Sequence, residues 1–141
     1  MEDLLALIRS TCTRTFEADH ESAIRAIARE LGFLRVSANV RRVIQPALAA
    51  ALDRAIIHND RGIYRIDCRA IGEYPDELLQ TYLPAAIGRA WKSHEEALRA
   101  TARYLGFRKV GPAMREFLEA AIAHCIRAGT LKADGDWLRR K

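Results

Sequence analysis

The chain is written twice. Sliding it by 74 positions lays 2–60 on 76–134 without a gap, and 17 of those 59 pairs are identical. The match is plainest where ARELGFLRV (28–36) returns as ARYLGFRKV (102–110), and it includes His20/His94, Glu21/Glu95, Arg25/Arg99 and Arg29/Arg103. A repeat constrains architecture before any motif does, because each copy must be one supersecondary unit with its own hydrophobic face. Two units, 1–70 and 71–141, are therefore expected, joined near CRAIGEYP, where Gly72 and Pro75 interrupt the pattern. Units of about 70 residues bury thin cores and are expected to lean on each other.

Each copy predicts the same four elements. A first helix runs over Glu2–Thr15 and Asp76–Ala90. A second, capped by Asp19 or Ser93, turns Ala23, Ile24, Ile27 and Leu31, or Ala97, Leu98, Thr101 and Leu105, toward a core. Ser93 and Glu96 have capping-box spacing. Gly32 and Gly106 stand where a left-handed residue closes a helix cheaply, and Phe33 and Phe107 after them are expected to plug the core. The third helix has the clearest period: Val40, Val43, Ile44, Ala47, Leu48, Ala51 and Leu52, answered by Met114, Phe117, Leu118, Ala121, Ile122, Cys125 and Ile126. Pro46 removes a backbone donor inside the first of these helices and is expected to kink it, whereas Ala120 leaves the second straighter. Short strands follow, 56–58 and 63–66 around Asn59–Gly62, and 130–132 and 136–138 around Ala133–Gly135. Three helices and a terminal β-hairpin, mainly α, make the winged helix-turn-helix plan, twice in tandem.

Charge narrows the partners. The net charge is +5 with a pI near 9.4, and the excess lies mainly in 75–141, where 12 Lys and Arg face 8 acids, against 11 and 10 in 1–74. A mild basic balance permits nucleic-acid binding, and its distribution decides more than its sum. No apolar run approaches the roughly 18 residues of a membrane span. MEDLLALIRSTC places acids where a secretory leader is basic. Three scattered cysteines, Cys12, Cys68 and Cys125, argue against a disulfide framework and for a reducing compartment, so a cytoplasmic address is expected.

In a winged helix the third helix enters the major groove and the hairpin touches the adjacent backbone. In the first copy Ser37, Asn39, Arg41, Arg42 and Gln45 surround the apolar stripe, Arg35 stands just before, and Arg61 occupies the wing turn. These amide, hydroxyl and guanidinium groups suit base edges and phosphates, the alternative being a merely solvated face. The second copy sets Glu116 and Glu119 on the same side, and its positive charge lies at Arg108, Lys109, Arg115, Lys132 and Arg139–Lys141. That pattern suits backbone contact or docking on an acidic partner. Arg25/Arg99 and Arg29/Arg103 are expected to pair with acids such as Glu21 and Glu95 rather than clamp phosphate. His20 and His94, at helix starts, read as capping residues rather than metal ligands, and Trp91 and Trp137 as fillers of core or inter-repeat space.

Enzyme signatures are missing: no Gly-rich phosphate loop, Cys-x-x-Cys or His-Glu-x-x-His occurs, and His124–Cys125 do not share a helix face. No catalytic residue, cofactor, metal or small-molecule substrate is expected.

The strings HESAIRAIARELGF (20–33) and HEEALRATARYLGF (94–107), with wings ending DRGIYRI and DGDWLRR, resemble the domain of unknown function near the C-terminus of large bacterial helicase-like proteins. The resemblance covers about 45 residues in each copy. It implies an accessory module tied to DNA- or RNA-processing machinery and a larger helicase-like protein or complex as partner. The family usually carries one such unit at the end of a long chain, whereas two stand together here.

The leading expectation is thus a non-catalytic module that binds double-stranded DNA. Asn39, Arg41, Arg42 and Gln45 would supply groove contacts, Arg61 would touch the minor groove or a phosphate, and Arg108, Lys109 and Lys132 would touch the backbone. The alternatives are a protein-interaction adaptor built on winged helices and a homodimeric transcription regulator.

Overall fold

The computed structural model describes residues 1–14 and 17–141. Thr15, placed by its sequence at the end of the first helix, lies outside the described residues. The chain divides into two compact units, Met1–Arg69 with Leu105–Phe107, and Ala70–Tyr104 with Arg108–Lys141. The architecture is mainly helical with small antiparallel sheets.

The first unit runs α1 (Glu2–Arg14), β1 (Ala18–Asp19), α2 (His20–Glu30), α3 (Ala38–Asp53), β2 (Ile57–Asp60) and β3 (Ile63–Ile66). Apolar residues at three- and four-residue spacing bring Leu5 and Ile8 of α1, Ile24 and Ile27 of α2, and Ile44, Ala47 and Leu48 of α3 into one core. Ile56, Ile57 and Tyr64 close it from the sheet. Asp19 caps α2, its Oδ1 accepting from Ser22 N at 2.7 Å, so the cap is the aspartate and not His20. The His20 ring instead meets the Tyr64 hydroxyl at 2.8 Å through Nδ1. α3 continues through Pro46 as one helix.

The sheet order is β1-β3-β2, all antiparallel. Opposing Asp60 to Ile63 leaves a two-residue turn, Arg61-Gly62, with φ of 56° and 88°. Positive φ at both central residues is the twist that matches a hairpin of right-handed strands. β1 has no counterpart in the sequence reading, because two residues are too short to alternate. Its pairing with β3 is a tertiary event.

The second unit repeats the order: α4 (Asp76–Ile87), β4 (Lys92–Ser93), α5 (His94–Tyr104), α6 (Pro112–Ala128), β5 (Leu131–Asp134) and β6 (Trp137–Arg140), with sheet order β4-β6-β5. A single 3-10 turn, Ile71–Glu73, precedes α4. Its core holds Leu79, Leu83, Ile87, Leu98, Leu118, Ile122, Leu131 and Leu138. α4 stops at Gly88, short of the expected Ala90, because Gly88 adopts φ 76°. Ser93 Oγ accepts from Glu96 N at 3.2 Å. In this hairpin only Gly135 of the turn pair Gly135-Asp136 has positive φ, at 61°, so the glycine moves to the first central position.

Three expectations about the core need correction. Phe33 is 48% exposed and Leu31 40%, so neither plugs the first unit. Their repeat equivalents differ: Leu105 is fully buried and Phe107 half-buried, because Leu105–Phe107 joins the first unit beside Leu5, Ile56 and Arg9. Trp91 and Trp137 are 41% and 51% exposed and fill no core, and the Arg139 guanidinium lies 4.9 Å from the Trp91 ring centre. Val43 and Phe117 stand half-exposed at the edge of their stripes, which narrow to Ile44, Ala47, Leu48 and Ala51, and to Leu118, Ile122 and Cys125.

Arg9 carries no signal in the sequence, yet it is buried. Its Nε and Nη2 donate to Leu105 O at 2.9 and 2.7 Å, its Nη1 donates to Cys68 O at 2.5 Å, and its guanidinium carbon lies 3.9 Å from the Phe107 ring centre. Carbonyl acceptors and a π face together offset the desolvation of a cation.

Candidate nucleic-acid interface

The polar side of α3 is built by its helical period. With Ile44, Ala47 and Leu48 committed to the core, Asn39, Arg42 and Gln45 point to solvent. α3 has no acid in its first turn, and its one carboxylate is Asp53, the last residue. Ser37 is the N-cap, its Oγ accepting from Val40 N at 3.2 Å. Arg42 Nη1 meets Asn39 Oδ1 at 3.5 Å, a long contact that leaves both groups available. Arg35, exposed, precedes the cap, and Arg61 is exposed at the β2–β3 turn, where Asn59 Oδ1 accepts from Gly62 N at 2.8 Å.

Arg41 is placed differently from its neighbours. Its Nη1 and Nη2 donate to Glu21 Oε1 and Oε2 at 2.8 and 2.9 Å, a two-pronged pair that ties α3 to α2. The second unit repeats it: Arg115 donates to Glu95 at 2.6 and 3.0 Å, and Glu119 lies 3.8 Å away. The hydrogen bonds from Arg41 and Arg115 hold the Glu21 and Glu95 carboxyls below their usual range, and the same bonds raise both arginines. Glu21 and Glu95 thus choose the arginine twenty residues on over Arg25 and Arg99 one turn away. A guanidinium fork matches both carboxylate oxygens at once, which a lone exposed helical pair does not.

Opposite α3 in the repeat, α6 carries Glu116 where α3 has Arg42 and Glu119 where α3 has Gln45, both exposed. His94 Nε2 lies 3.3 Å from Glu119 Oε1. Arg108 and Lys109 are exposed just before α6, and Lys132 is exposed on β5.

Arg35 and Arg41 line one cleft of the first unit, and Arg108, Lys109 and Arg115 line its counterpart in the second. Arg42, Gln45, Arg61 and Lys132 line neither. Ser37 and Asn39 border a third depression of about 390 Å³, floored by Leu31, Phe33, Val40 and Val43. Burial pushes the Cys12 thiol up to about 11 and raises that of Cys125, so neither is poised as a thiolate. Among the described residues no three His, Cys, Asp or Glu side chains converge as a metal site, and no helix is long and apolar enough to cross a membrane. Comparison with known proteins found no matching family model, no similar curated protein and no similar solved structure.

Proposed function

We propose that the chain is a non-catalytic, double-stranded-DNA-binding module made of two tandem winged helix-turn-helix units, accessory to larger nucleic-acid-processing machinery. The order helix, strand, helix, helix, hairpin in each unit supports the winged-helix reading. The observation that carries the function is the exposed, acid-free face of α3, with Asn39, Arg42 and Gln45 on one side of the helix. An amide and a guanidinium at such positions bond base edges in the major groove, while Arg61 on the wing meets backbone. α6, with Glu116 and Glu119 in the corresponding places, is the poorer reader, so base contacts belong to the first unit.

Fluorescence polarisation of a short labelled duplex, titrated at several salt concentrations, tests this. Affinity falls linearly with salt on logarithmic axes, and Asn39→Ala/Arg42→Ala costs about 1–3 kcal/mol for each base edge that goes unbonded. Binding that ignores both salt and the double substitution defeats the reading. The adaptor alternative has one observation of its own: Leu31, Phe33, Leu34 and Val43 are all exposed near the start of α3. Contiguous exposed apolar groups mark protein-docking surfaces. A wild-type protein without duplex affinity would shift the assignment to that patch.

A further inference from the structure

Two clefts, between α2 and the start of α3 and between α5 and the start of α6, are built from corresponding residues. In the first unit the cleft, about 210 Å³, gathers Arg25, Arg29, Arg35 and Arg41 around Glu21. In the second, about 350 Å³, Arg99, Arg103, Arg108, Lys109 and Arg115 gather around Glu95. Eight lining positions correspond across the repeat at an offset of 74, and six of the eight pairs are identical, against 17 of 59 over the whole match. The two that differ are Leu34/Arg108 and Arg35/Lys109.

Packing accounts for Ala28/Ala102 and Val36/Val110, and the ion pair between helices for Glu21/Glu95 and Arg41/Arg115, but neither accounts for Arg25/Arg99 and Arg29/Arg103. Arg25, Arg29, Arg99 and Arg103 are exposed. They stand one helical turn apart in pairs, on the same face of α2 or α5. Arg29, Arg35, Arg103, Arg108 and Lys109 make no ion pair within 4 Å with any described residue. Arg25 contacts Ser22 Oγ at 3.5 Å through Nη2, its charge helps lower the Asp19 and Glu21 carboxyls, and that of Arg99 helps lower Glu95. The sole carboxylate in each cleft is already matched to Arg41 or Arg115, which pins that guanidinium at the wall. Counting the lining residues alone, four cations against one carboxylate leave +3 in the first cleft and five against one leave +4 in the second, with Asp19 near Arg25 and Glu119 at 3.8 Å from Arg115 offsetting part of each. Like charges gathered this way repel one another unless an anion joins them.

We infer that each cleft is a seat for one phosphate group of a nucleic-acid backbone. Eight of the nine cations are arginines, whose planar fork grips phosphate oxygens in pairs. A chain that carries the seat twice suits a ligand whose charges repeat. This rests on the DNA-binding reading and adds to it: α2 and α5 grip backbone in both units, while α3 reads bases in one.

The experiment compares the wild type with Arg25→Ala/Arg29→Ala, Arg99→Ala/Arg103→Ala and the charge-keeping Arg25→Lys/Arg29→Lys, in the same duplex titration. Each alanine pair is expected to weaken binding and to flatten the salt slope by about 1, the loss of one neutralised phosphate, while the lysine pair keeps the slope. The substituted residues are exposed, and circular dichroism verifies that each variant retains its helices. Alanine pairs that keep the wild-type slope overturn the seats and leave the DNA reading intact if Asn39→Ala/Arg42→Ala still weakens binding. A wild type that does not bind the duplex overturns both. Displacement of bound duplex by polyglutamate at a lower charge concentration than by polyphosphate overturns the phosphate assignment in favour of an acidic protein.

Discussion

Gly32 and Gly106 both adopt positive φ, 91° and 77°, where a Cβ crowds the following carbonyl. Their surroundings differ. A Cβ on Gly32 meets nothing within 4 Å, whereas one on Gly106 falls 2.9 Å from Leu5 O and 3.2 Å from Ile56 Cδ1. Gly32→Ala is therefore expected to cost about 1–2 kcal/mol of backbone strain alone. Gly106→Ala adds overpacking of roughly 1–3 kcal/mol, because a carbonyl oxygen in a helix does not yield as a side-chain tip would. Urea denaturation of the two variants, compared at equal slopes, checks the difference. The Leu-Gly-Phe string is the same in both copies, so its letters cannot tell which copy is covered. Phe33 and Phe107 look alike in sequence and pack differently for that reason. Glu21 and Glu95 are a second case at this scale. Helical spacing points each to an arginine four residues on, and the fold offers a better-shaped one on another helix.

Among the elements, α3 and α6 are the informative pair. Their stripes were legible, since seven apolar positions at helical period admit no strand. Their outer edges were not, because period gives the direction of a face and not the width of what covers it, so Val43 and Phe117 emerge half-exposed. Their starts also differ. α3 begins at Ser37 with a side-chain cap, while α6 begins at Gly111 with none and relies on Pro112 at its first position. Ser37→Ala is expected to destabilise the first unit by about 1 kcal/mol, read as a lower urea midpoint and faster amide exchange over 38–41. An unchanged midpoint would mean that the hydroxyl contributes nothing to the helix start. The hairpins show how one plan accepts two turns: Arg61-Gly62 places a cation at the tip at the expense of a left-handed arginine, and Gly135-Asp136 avoids that expense without a cation there. β1 and β4 escaped the sequence because their pairing partners lie more than forty residues on, at Ile63–Tyr64 and Trp137–Leu138.

At the scale of the molecule, the repeat and the fold do not divide the chain at the same places. The second copy of the sequence contains Leu105–Phe107, yet those three residues belong to the first compact unit, where Leu105 O accepts two hydrogen bonds from buried Arg9. A fragment of residues 1–69 lacks that acceptor. It is expected to melt below the same unit in the full chain, with a deficit of about 1–3 kcal/mol from the bonds that Arg9 Nε and Nη2 lose, while Nη1 keeps Cys68 O. Arg9→Leu, which installs the residue found at the equivalent Leu83, should recover part of the loss in the fragment and none in the full chain. Thermal unfolding of the four proteins checks this, and equal midpoints for the two fragments would remove Arg9 from the account. The sequence by itself determined the duplication, the helical stripes, the glycine joints and the acid-free face of α3, because each is written in local spacing that backbone geometry reads within a few residues. Only the tertiary structure decided that Arg9 is buried, that Leu105 is covered and Leu31 is not, and that Glu21 takes Arg41. It also gathered Arg25, Arg29 and Arg35 into one cleft. Those outcomes join positions from six to ninety-six residues apart, and which side chains meet there depends on how the helices pack.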